Sequence, residues 1–91
     1  MENSPAPQIV KIDIEGAELE ALQKAQQLLS TSRPTIIVEV AERNADQVSE
    51  ILRKADYYLF DAKKEQVLNK KNPCTRAGYN TLAIPIEKLH D

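Results

Sequence analysis

Ninety-one residues, 42 % hydrophobic and 29 % charged, make one small soluble domain or a piece of one. Twelve basic against fourteen acidic side chains leave a net charge of −2. That excludes nucleic acid as the main partner, because tracking phosphates needs a basic excess or stripe, and Lys63-Lys64 and Lys70-Lys71 read as solvated loop charge. A single cysteine, Cys74, excludes an intrachain disulfide and a cysteine-based zinc site. No run approaches membrane-spanning length and the polar start Met1–Pro7 is no signal peptide, so the expected compartment is the cytoplasm.

Pro5 and Pro7 make residues 1–8 an extended leader, since neither proline enters a helix or a central strand. Ile9 to Ile14 alternates as a strand with Val10, Ile12 and Ile14 on one face, and Gly16 punctuates its end. Ala17 to about Leu29 reads as a helix with Leu22, Ala25 and Leu29 on its stripe, stopped by Pro34, which pushes Arg33 out of helical angles. Thr35 to Val40 is apolar at nearly every position, as in a parallel strand covered on both faces.

Asn44 is placed as an N-cap with Gln47 completing a capping box, and Val48, Ile51, Leu52 and Ala55 carry helical spacing. Tyr57 to Phe60 is a third strand, Asp61 to Gly78 a polar excursion with a possible short hairpin at Gln66-Val67-Leu68, and Thr81 to Ile84 a fourth strand closed by Pro85. The order β-α-β-α-β-β gives an α/β fold with three parallel strands joined by right-handed crossovers and a final antiparallel strand. Both helices then cover one face. The bare opposite face and the open edge of the first strand make the sheet look like half of a larger one.

The run Lys11-Ile12-Asp13-Ile14-Glu15-Gly16-Ala17-Glu18-Leu19 closely resembles the signature of the FkbM methyltransferase family. More of the family's pattern follows in register: Arg33-Pro34, Ile36-Ile37-Val38-Glu39, Tyr57, and Asn80 to Pro85. The resemblance implies the C-terminal half (residues 9–87) of a class I, doubly wound Rossmann-like methyltransferase domain, with a tail over 88–91. Its last strand would lie antiparallel between the two before it. It implies S-adenosylmethionine as the family's methyl donor and a small-molecule acceptor, methylated typically on oxygen. The family's Gly-rich loop and ribose-binding acid lie upstream of anything matched here, and Gly16 and Gly78 alone cannot build such a cradle. No cofactor is therefore expected on the isolated chain, and no residue is assigned as a metal ligand. Asp56 departs from the family, which usually has glycine before tyrosine, but aspartate can still adopt a left-handed turn there.

Ligands of such sheets sit outside the carboxyl ends of the parallel strands. That rim should gather Asp13, Glu15 and Glu39 as candidate catalytic acids, with Gly16 and Asn80 as candidate substrate contacts. Carboxylates there can orient a hydroxyl, accept its proton or hold a divalent cation. The plainer reading leaves Glu15 favouring a helix N-terminus, Asp13 bonding free turn amides, and Gly16 only permitting a turn. Cys74 lacks an activating neighbour in sequence, and His90 sits beside the last residue. Two functional readings compete: a methyltransferase-like domain inactive without its cofactor-binding half, and a non-catalytic module that assembles through its bare face and edge. The expected partner is a second copy or the missing N-terminal half.

Overall fold

The computed structural model describes residues 9–13 and 16–89, so the leader, Ile14, Glu15 and His90 lie outside the described residues. In chain order the elements are β1 (Ile9–Ile12), α1 (Glu18–Lys24), α2 (Gln26–Thr31), β2 (Thr35–Glu39), a 3-10 turn (Glu42–Asn44), α3 (Ala45–Lys54), β3 (Tyr57–Asp61), β4 (Asn80–Pro85) and a second 3-10 turn (Ile86–Lys88). They form a small α/β unit around one mixed four-stranded sheet of order β1-β2-β4-β3. β1 pairs with β2 in parallel, and β4 pairs antiparallel with both β2 and β3. β1, β2 and β3 therefore run one way and β4 runs against them.

Strand alternation decides the two faces. Ile12, Ile36, Val38, Leu59 and Ala83 point to the helices and pack with Leu22, Leu29, Val48 and Leu52 in the main core. β2 is not covered equally on both sides: Ile36 and Val38 are buried, while Thr35, Ile37 and Glu39 are only half-buried. The run of apolar residues hid this, because Ile37 looks no different from Ile36 in sequence. On the other face Phe60 and Ile84 are buried under Leu89, with Leu68 and Leu82 packed against them. A loop residue and the C-terminal turn thus cover the β3–β4 half of the face that carries no helix.

The first helix is split. At Ala25 the N–H is shared between the carbonyls of Ala21 (3.0 Å) and Leu22 (3.2 Å), which tightens one turn between α1 and α2. The returning loop forms no hairpin at Gln66-Val67-Leu68, where no strand is present. Instead Cys74 donates its N–H to Leu59 O at 2.7 Å and covers the outer edge of β3. Ala77 is buried in the main core, its N–H held by Ser49 Oγ at 2.7 Å. Arg76 ties the same loop to Asp46 (2.7 Å) and Glu42 (2.9 Å).

Asp56 has a φ of 62°, the left-handed conformation expected where glycine precedes tyrosine, and Arg33 before Pro34 has a φ of 52°. Arg33 ties together the ends of α2 and α3 and the C-terminal 3-10 turn. Its guanidinium donates to the carbonyls of Leu29, Ala55 and Asp56, lies 4.9 Å over the Tyr57 ring, and makes a two-pronged pair with Glu87 at 2.8 and 2.9 Å. That pair pulls the Glu87 carboxyl down to about 2. A carboxyl whose folded pKa lies below its unfolded value of about 4.3 adds stability above that value and loses it as pH falls toward 2. We expect Glu87→Gln to lower stability at pH 7 by no more than about 1 kcal/mol, since the side chain is half in solvent. The deficit should shrink to nothing as the pH approaches 2, read from urea midpoints across the range.

Candidate functional site

The last parallel pair of β1 and β2 is Ile12 with Val38. One residue further along, Asp13 stands level with Glu39, and Glu39 is directly paired with Asn80 across the antiparallel ladder. β4 starts where β1 and β2 end, so all three residues meet at one rim. Alternation turns Ile12, Val38 and Thr81 toward the helices and Glu39 and Asn80 toward the open face, where Asp13 also falls. Asp13 is exposed, whereas Glu39 and Asn80 are half-buried. The Tyr79 hydroxyl donates to Glu39 Oε1 at 3.4 Å, and the Tyr79 carbonyl accepts from Val40 N–H at 2.8 Å. The rim therefore brings together Asp13, Glu39 and Asn80 of the expected set, while Glu15 lies outside the described residues.

Gly16 makes the turn out of the rim with a φ of +78°. A Cβ built there would stand 2.5 Å from Arg43 Nη2, and the Gly16 carbonyl lies 3.5 Å from Asn44 Nδ2. Its described contacts are thus with the connection after β2.

Behind the rim lies a residue absent from the expected set. Glu18, the first residue of α1, is completely buried at 0 % exposure. Its Oε2 accepts from the Ala41 N–H at 2.6 Å and from Asn44 Nδ2 at 2.9 Å, so one carboxylate ties the start of α1 to the connection between β2 and α3. Burial opposes its charge, but the bonds from Asn44 and Ala41, with Arg43 nearby, prevail and hold the carboxyl below its ordinary range. Oε1 has no hydrogen-bond partner among the described residues. Asn44 does stand at the entrance to α3, but it makes no side-chain cap; its amide serves Glu18 instead. Nothing local in the sequence marks Glu18 for this role, since its partners Ala41 and Asn44 lie far along the chain.

A cavity of 270 Å³ opens beside the rim, lined by Phe60, Asp61, Cys74, Arg76, Gly78, Tyr79 and Asn80. It falls short of the roughly 300–1,000 Å³ of small-molecule pockets. Two larger hollows lie away from the rim: one of 730 Å³ between the helices, among Gln23, Gln26, Gln27 and Gln47, and one of 770 Å³ beside Arg33, Asp56 and Glu87. No group of three or more metal-binding side chains occurs among the described residues. Nor do the residues present fit a dinucleotide-type cradle: of the two glycines, Gly16 faces Arg43 and Gly78 stands alone in a loop. No described helix is long and apolar enough to cross a membrane.

Comparison with curated proteins and with solved structures gives no match. The model of the methyltransferase FkbM domain matches residues 1–79, most of the chain, and the signature at Lys11–Leu19 lies inside that match. With the motif, the mixed α/β sheet and the family match in agreement, this chain belongs to the FkbM methyltransferase domain family.

Proposed function

We propose that this chain is the C-terminal half of an FkbM-type methyltransferase domain and is inactive on its own. In the complete domain S-adenosylmethionine would supply the methyl group, and the acceptor would be a small molecule methylated on oxygen. Asp13, Glu15 and Glu39 would orient the acceptor hydroxyl and take its proton, with Gly16 and Asn80 contacting the acceptor beside them. The observation that carries this reading is the meeting of Asp13, Glu39 and Asn80 at the carboxyl end of the β1–β2 pair, on the open side of the sheet. The order β1-β2-β4-β3, with β1 at the edge, supports the reading of a half-sheet. The lone cysteine, Cys74, fits a reducing compartment such as the cytoplasm.

Inactivity follows from the lack of a glycine cradle in these 91 residues. Titration calorimetry of the chain with S-adenosylmethionine should show no binding. A dissociation constant at or below roughly 10 µM, about −7 kcal/mol, would mean that the cofactor site is built from residues present here and would overturn the assignment to a cofactor-free half.

A further inference from the structure

We propose that the chain pairs with a second copy of itself through β1, the two β1 strands running antiparallel about a two-fold axis at Ile12. The inference concerns the 91-residue chain by itself; where an N-terminal half is present, that half would take the same edge.

The sheet has two edges, and they differ. At β3 the edge is occupied, because Leu59 O already accepts from Cys74. At β1 no described strand lies outside Ile9–Ile12, and Ile9 is 62 % exposed. An uncovered strand edge is a template for another strand, and a lysine on it is a common deterrent. Lys11 sits on this edge, but Asp13 lies two residues along on the same face, and both are exposed. A positive and a negative charge at that spacing make the edge self-complementary.

Geometry selects the register. A two-fold axis perpendicular to the sheet keeps both helical layers on one side. Directly opposed residues of antiparallel strands share a face, so the axis must pass through a residue and not between two. Centred on Lys11, the axis would set two lysines against each other. Centred on Val10, it would oppose Lys11 to Ile9. Centred on Ile12, it opposes Lys11 to Asp13 twice on the open face and Ile12 to its own copy on the helical face, where Ile12 already belongs to the core. Only the last register pairs opposite charges.

Sedimentation equilibrium of the 91-residue chain up to about 100 µM, well into the range of modest association, tests the proposal. A monomer–dimer equilibrium is expected, weakened at least roughly tenfold by Lys11→Asp and by Asp13→Lys, and returned close to the original by the two together. Asp13→Lys is the sharper single variant: it brings the formal net charge from −2 to zero, which would favour non-specific association. Both positions are exposed, and thermal melting confirms that each variant folds. A strictly monomeric chain would overturn the proposal and leave the edge for another occupant. So would a dimer indifferent to the single reversals, or one that the double reversal does not restore.

Discussion

Glu18→Ala should destabilise the chain by about 2–4 kcal/mol, read as a lowered urea midpoint at unchanged slope. The Ala41 N–H and the buried Asn44 amide both lose their acceptor, and hydrogen bonds to an ionised group are the stronger kind. The void left by a fully buried side chain adds to this cost. Against a total of roughly 5–15 kcal/mol for a small domain, the loss is large. Two comparisons isolate the cause. Glu20, two residues along, makes only an exposed pair with Lys24, and Glu20→Ala should cost at most about 0.5 kcal/mol. Glu18→Gln keeps one oxygen for Ala41 and Asn44 but loses the charge and brings a donor to the position of Oε1, so it should fall between the two. A cost for Glu18→Ala no larger than for Glu20→Ala would show that the carboxylate does not hold the two connections together.

What the sequence made legible divides along the range of the interactions involved. Ile9–Ile12, Thr35–Glu39, Tyr57–Asp61 and Asn80–Pro85 were readable because apolar periodicity and turn residues are local signals. The left-handed Asp56 was readable for a different reason: the resemblance asked for glycine there, and aspartate is among the few residues that tolerate that conformation. The meeting of Asp13 with Glu39 follows from parallel strands ending together, so it too could be foreseen. Glu18 could not. Its partners lie 23 and 26 residues away, and a glutamate at a helix start reads first as a charge favouring the dipole. The same limit explains Asn44, whose position was right and whose bond was not. The return of Cys74 to the β3 edge and the burial of Ala77 were hidden inside a polar stretch, because side chains from α3 and a strand edge hold that loop, not its own apolar content.

Gly16→Val should lower stability by about 2–3 kcal/mol, a fall in Tm on the order of 10 °C for a chain of this size. The φ of +78° is the reason. A side chain in the left-handed region brings Cβ against the carbonyl oxygen, and a branched one is worse than alanine. Gly16→Ala should therefore cost less than valine, and Gly16→Asn least of all. The Arg43 guanidinium, 2.5 Å from the would-be Cβ, offers a rival explanation by simple collision. Arg43 is exposed and its far end can swing away, so collision should contribute little. Removing it separates the two causes. If backbone strain governs, Arg43→Ala leaves the penalty of Gly16→Val intact in the double variant; if contact governs, the double variant recovers most of the loss. The turn joins the strand carrying Asp13 to the helix that begins at Glu18, so strain at Gly16 should also disturb the Glu18–Asn44 bond. Amide exchange at Ala41, whose N–H the same carboxylate holds, should then accelerate in Gly16→Val more than exchange at Leu52, at the far end of α3.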